Sequence, residues 1–258
     1  MDLQAPTEKT TLLLASQQNH GKEFLKPSDQ RFFSQSEEDA IYLHTIFGAI
    51  AFTTLLAVPT EHLGLSLWVL VFVWYVAIFV VAHRKKHSEW MQMMRFIIPL
   101  CICFIFPDGF LVEYLHTIVF PDMGVWTIYG VPSFMPFMWA IPIFLSILFG
   151  RGLEERGVGI VNTSLGAGGV AFVIFAGSEE ILTQIPIWSA VETVTKIGNM
   201  AVYVLVPEFC LGVTASLMYR FSRHFSLLVQ IFAAFLTMCV YLGNLIVWNM
   251  IIEGPSKL

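Results

Sequence analysis

The sequence predicts an all-α fold: a polytopic membrane helix bundle of about seven transmembrane helices, with its amino terminus in the cytoplasm. Three observations carry this expectation. The 258 residues are 56% hydrophobic and 13% charged, with a mean hydropathy of +0.71, whereas a soluble domain carries roughly 25% charged residues. From residue 40 onward the chain is a succession of apolar segments, each near the ~20 residues that cross a bilayer. Lys and Arg collect in alternate connections between those segments, as the retention of positive charge on the cytoplasmic side requires. The composition excludes a soluble enzyme and a disordered chain. A net charge of -5 also speaks against a nucleic-acid partner, which calls for a basic surface.

Residues 1–40 stand apart. They are rich in Gln, Ser and Thr and mix Lys9, Lys22, Lys26 and Arg31 with seven acids, without a sustained apolar run. Such a stretch buries too little to offset the entropy of ordering, so a disordered cytosolic tail is expected, followed by a transmembrane domain over 41–258. The spans follow in order. Residues 41–58 form the first, ended by Pro59, and 63–82 the second. Residues 95–119 form the third, interrupted by Pro99 and Pro107, and 132–150 the fourth. A small-residue span at 158–177, a sixth at 198–218 and a seventh at 225–251 complete the set. The stretch 185–220 is too long for one crossing, since 36 helical residues would reach about 54 Å. An interfacial helix over 187–197 is therefore expected ahead of span six, with Glu192 and Lys196 paired at i,i+4.

The charges support this count. Twelve of the fourteen Lys and Arg fall in the tail or in the connections after spans two, four and six; Lys196 and Lys257 are the exceptions. Glu61, Asp122, Glu179, Glu180, Glu192 and Glu253 fall on the opposite side. Cys101, Cys103, Cys210 and Cys239 all lie inside apolar segments without a CxxC spacing, which points to lipid-buried thiols rather than disulfides or metal ligands.

Ionisable groups at membrane depth cost about 2.5–3.5 kcal/mol on insertion scales, so each one invites a functional reading. In span three, Asp108 follows Pro107 near mid-span, and Glu113 and His116 stand i,i+3 beyond it. A carboxyl beside an imidazole can hold and pass a proton. In span six Glu208 follows Pro207, repeating the proline–acid pair of span three. Two proline-interrupted spans with an acid at each break suggest a shared polar cavity. Asp108, Glu113, His116 and Glu208 are thus the candidate catalytic residues, and no metal ligand set or cofactor is expected. Trp126, Tyr129 and Trp139, with Tyr203 one turn before Glu208, are the candidate substrate contacts. They read either as an interfacial aromatic belt or as a mouth whose ring faces stabilise a cation or a polyene.

Other patterns carry less. His83-Arg84-Lys85-Lys86-His87 has the spacing of one histidine box of a di-iron desaturase, but the remaining histidines form no further box, and a basic loop accounts for it. The glycines at 166, 168 and 169 follow no strand, so they read as close helix packing rather than a nucleotide loop. Glu8-Lys9-Thr10-Thr11-Leu12-Leu13 has the form of an acidic dileucine signal, which would direct the protein to an endosomal or vacuolar membrane.

One segment resembles a known family. Glu113 ends a span, Phe120-Pro121, Gly124 and Trp126 follow in a short loop, and Gly130-Val131-Pro132, Pro136 and Trp139 open the next span. This is similar to a region of the carotenoid-biosynthesis membrane proteins that include the carotenoid 1,2-hydratases. Met123-Gly124-Val125-Trp126 stands where that family has Phe-Gly-x-Tyr-x-Tyr. The resemblance implies proton-initiated addition or rearrangement at a polyene double bond, without metal or nucleotide, and carries over Glu113 as an acid. The functional expectation is an intramembrane enzyme using carboxyl acid/base chemistry on a lipid-soluble, isoprenoid or polyene-type substrate, with the bilayer and that hydrophobic molecule as its partners. The alternatives are a proton-coupled transporter of small solutes and a non-catalytic membrane partner.

Overall fold

The computed structural model describes residues 33–182, 185 and 187–254. Most of the expected tail, the dileucine-like pattern at 8–13 and Lys257 lie outside the described residues. The helices are α1 (Gln35–Ala57), α2 (Leu63–Lys85), α3 (Ser88–Cys103), α4 (Ile105–Glu113), α5 (Met135–Met138), α6 (Ala140–Glu155), α7 (Ile160–Leu182), α8 (Val202–Ser222) and α9 (Leu227–Glu253). Taking α3 with α4 and α5 with α6 as one crossing each, seven spans among the described residues are long and apolar enough to cross a membrane. The first begins at Gln35, so residues 35–40 belong to the bundle and not to the tail. α8 lies between α7 and α9, with α6 across α7 and α8 and α3 along α9. Outward positions such as Leu65, Phe72, Val173, Leu228 and Phe232 are exposed and apolar, as a surface facing lipid requires.

Two of the crossings are broken by proline. Pro107 cannot donate to the Cys103 carbonyl and its ring crowds that carbonyl, so α3 ends at Cys103. Pro142 acts in the same way on Met138, where α5 ends. The residues standing at the two breaks, Phe104 and Trp139, stack with ring centroids 4.6 Å apart and planes 14° from parallel. Pro207, by contrast, lies inside α8 without ending it.

Small residues set the approach of α7 to α8. A Cβ on Gly168 would lie 2.9 Å from the Phe209 carbonyl oxygen, and one on Gly212 would lie 2.8 Å from that of Ala167. Bare backbones meeting at this point is the membrane solution to tight helix packing.

The basic end is held by ion pairs. Arg156 reaches Glu37 at 2.6 Å, Arg223 and Arg220 reach Glu154 at 3.0 and 3.6 Å, and His87 and Lys85 reach Asp39 at 2.9 and 3.5 Å. His87 also lies over Trp90, with ring centroids 4.9 Å apart, so the histidine-box spacing serves a structural loop.

At the other end the chain forms short antiparallel pairings in place of the expected interfacial helix. β1 (Ile118–Val119) pairs with β4 (Ser189–Ala190), β2 (Thr127–Ile128) with β3 (Val131–Pro132), and β5 (Lys196–Ile197) with β6 (Met200–Ala201). The Glu192–Lys196 helical pair is accordingly not formed; Lys196 Nζ donates to the Ala190 carbonyl at 2.8 Å. Val191, Thr193, Val194, Thr195 and Ile197 are all β-branched, and such residues favour extended backbone over a helix. Gly198, at φ +61°, supplies the positive φ that a two-residue hairpin loop needs.

Candidate functional site

A cavity of about 540 Å³ opens among α1, α2, α4, α6, α7 and α8. Asp108 and Glu208, the acids that follow Pro107 and Pro207, both reach it. The break before α4 leaves Asp108 in the first turn of that helix, and its backbone N–H donates to the Phe104 carbonyl at 3.2 Å. The break before α6 turns Trp139 toward it, so that Trp139 Nε1 donates to Asp108 Oδ2 at 3.0 Å. Glu208 enters from α8, one residue past Pro207. It is 4% exposed, and its Oε2 is buried with no hydrogen-bond partner among the described residues. Asp108, Glu208, Trp139 and Tyr203 all line the same cavity. Tyr203 is anchored by donating its hydroxyl to Thr117 Oγ1 at 2.8 Å.

The remaining sequence candidates lie elsewhere. Glu113 is exposed at the end of α4, and His116, also exposed, sits at φ +50° with Nδ1 2.9 Å from the Val112 carbonyl oxygen. Because α4 stops at Glu113, the i,i+3 helical relationship expected for Glu113 and His116 does not arise. Trp126 and Tyr129 are 64% and 62% exposed in the β2–β3 hairpin and do not line the cavity. That hairpin turns at Tyr129-Gly130, both at positive φ, as a type I′ loop demands. It rests on α4 where a Cβ on Gly109 would meet Tyr129 at 2.9 Å.

Sequence reasoning missed two groups that line the cavity. Glu179, near the end of α7, accepts a hydrogen bond from the Ala201 N–H at 3.0 Å. Its signal was two consecutive acids, Glu179-Glu180, closing an apolar span. His44 of α1 has Nδ1 2.8 Å from the Ala40 carbonyl oxygen and receives Trp74 Nε1 on Nε2 at 3.1 Å. These contacts assign Nδ1 as the protonated nitrogen and leave both nitrogens occupied.

The rest of the wall is mostly apolar, with Ser178, Asn199 and Tyr241 as further polar residues, and among the described residues no Lys or Arg lines it. Among the described residues, no group of three or more His, Cys, Asp or Glu is arranged to hold a metal ion. One side of the cavity is flanked by α1 and α7. Phe52, Val173 and Ile181 line it there while being 47%, 68% and 50% exposed. Gly48 and Gly177 also line it, and a Cβ on either would meet nothing within 4 Å. The opening therefore faces the apolar, lipid-directed surface of the bundle. A neutral hydrocarbon can enter such a space, and the buried carboxyls of Asp108 and Glu208 stand in it.

A family model described as a domain of unknown function, DUF6989, matches residues 105–252. The match takes in more than half of the chain, from the start of α4 almost to the end of α9, and the chain belongs to that family. No curated protein and no solved structure matches it.

Proposed function

We propose that this DUF6989 member is an intramembrane enzyme that protonates a double bond of a lipid-soluble, isoprenoid or polyene-type substrate, leading to hydration, cyclisation or isomerisation. The observation that carries the reading is the meeting of Asp108 and Glu208 in one cavity that, among the described residues, is lined by no Lys or Arg and opens on the apolar surface between α1 and α7. A lone carboxylate is costly to hold away from water without a cation, so the neutral acid is the form this cavity accommodates, and a neutral carboxylic acid can donate a proton. Transfer of that proton to an alkene carbon forms a C–H bond from the π pair and leaves a carbocation. Trp139, Tyr203 and Tyr241 line the space in which that cation would form, and an aromatic face presented to a cation attracts it by about 0.5–2 kcal/mol. The conjugate carboxylate adds the opposite charge. Trp139 Nε1 then positions Asp108 through its hydrogen bond.

The resemblance of residues 113–142 to the carotenoid-biosynthesis proteins supports the same class of chemistry, although Glu113 lies outside the cavity. The pattern at 8–13 supports an endosomal or vacuolar membrane as the location.

The test is a comparison of lipid extracts from cells lacking the protein, carrying it, and carrying Glu208→Gln. An isoprenoid species made only with the unaltered chain supports the enzyme. Identical extracts, together with pH-dependent solute flux into proteoliposomes, would replace it by the transporter reading.

A further inference from the structure

We infer that Glu179 is a third catalytic carboxyl, the base that removes a proton from the carbocation formed when Glu208 donates one; this rests on the function proposed above. The cavity joins α7 to α8 at two levels. Deep in it, Glu208 Oε2 is buried and has no hydrogen-bond partner among the described residues. Nearer the hairpin end, Glu179 lines the same space from the facing helix and is only partly buried. Both side chains line this one space, from facing helices.

Adjacent acids have divided roles. Glu180 Oε2 accepts from the Asn199 N–H at 2.8 Å and packs under Gly198, so it holds the β5–β6 turn. Glu179 uses Oε2 for the Ala201 N–H, at the entry to α8. Ala201 and Asn199 themselves line the cavity. Glu179 thus stands between the enclosed acid and the exposed hairpin, where protons exchange with water.

The balance is closed. Glu208 gives a proton to one alkene carbon, and the π pair becomes a C–H bond. Glu179 takes a proton from a carbon next to the cation, and that C–H pair becomes the new double bond. The substrate is isomerised or cyclised without net gain of protons, and transfer from Glu179 back to Glu208 resets the site. A substrate whose cation is instead captured by water would leave as an alcohol.

The test uses the full chain in its membrane, with the total neutral-lipid extract as the readout. Glu179→Gln keeps an oxygen for the Ala201 N–H, so the hairpin stays in place while the base is lost. The expected result is a fall of at least about tenfold in the product formed by proton loss, a rise in the corresponding alcohol, and partial recovery in Glu179→Asp. Glu180→Gln, outside the cavity, leaves the product ratio at the unaltered value. If Glu208→Gln abolishes the product while Glu179→Gln gives unaltered amount and ratio, Glu179 is not the base. If Glu208→Gln changes nothing, the reading beneath it fails as well.

Discussion

The two ends of this bundle treat the same residue type in opposite ways. At the basic end each of Glu37, Asp39 and Glu154 meets a guanidinium, ammonium or imidazole, and these contacts join α1, α2, α6 and α8 across their connections. In the cavity Asp108 and Glu208 meet no cation among the described residues; one accepts from an indole and the other has an oxygen without a hydrogen-bond partner there. A paired carboxylate holds elements together, and its loss is felt as stability. An unpaired acid in an apolar space costs stability to keep, and its loss is felt as chemistry. The contrast separates architecture from function without reference to any substrate.

The contrast can be broken by substitutions, beginning where the effect is largest. Glu208→Gln is isosteric and removes only the acidic proton. It should reduce product at least about 100-fold, within the range of a lost general acid, while the protein reaches the membrane in unaltered amount by immunoblot. Arg156→Ala should do the reverse. Glu37, only 5% exposed, would lose its nearest cation, at a cost of about 1–3 kcal/mol. A lowered midpoint of thermal unfolding in detergent, with product formation per folded molecule kept, is the expected outcome. Trp139→Phe retains the stack on Phe104 but removes the N–H that reaches Asp108; a hydrogen bond to a carboxyl of about 1–2 kcal/mol corresponds to roughly a tenfold loss of rate. The smallest effect is expected from Gly130→Ala. It would place a Cβ 2.6 Å from Val112 at φ +70° and strain the β2–β3 hairpin by about 1 kcal/mol. Seen as a small loss of thermal stability with unaltered product, it would place that hairpin outside the chemistry.

Much of the bundle was legible beforehand because membrane insertion acts on composition. Apolar segments of fixed length and basic loops on one side leave few topologies, and the seven spans lie close to their expected bounds. The proline–acid pair Pro107-Asp108 was legible for a similar reason, since a proline acts locally on the carbonyl four residues back; the break at Pro142 was not read, and Pro207 leaves its helix unbroken. That Asp108 would be met by Trp139 was not, because it depends on two broken helices stacking 31 residues apart in sequence. Glu179 was hidden for a different reason. As the first of two acids at a span end it looked like one more member of an acidic interface, and only the turn of α7 sends it inward while Glu180 faces the hairpin. The segment 187–197 was misread because its length was weighed and its β-branched residues and the Gly198-Asn199 turn that follows it were not.

The account depends most on the acids lying in a space that hydrocarbon reaches and bulk water does not. Val204, buried on the cavity wall one turn before Glu208, offers the direct measurement. In a chain whose four native cysteines are replaced by alanine, Val204→Cys in sealed vesicles is treated with a bilayer-soluble maleimide or with a charged, membrane-impermeant thiol reagent. The expected result is rapid modification by the first, little by the second from either side, and protection from the first when Gly177→Trp fills the opening between α1 and α7. Equal modification by the charged reagent, with no effect of Gly177→Trp, would mean a water-filled space and contradict the account.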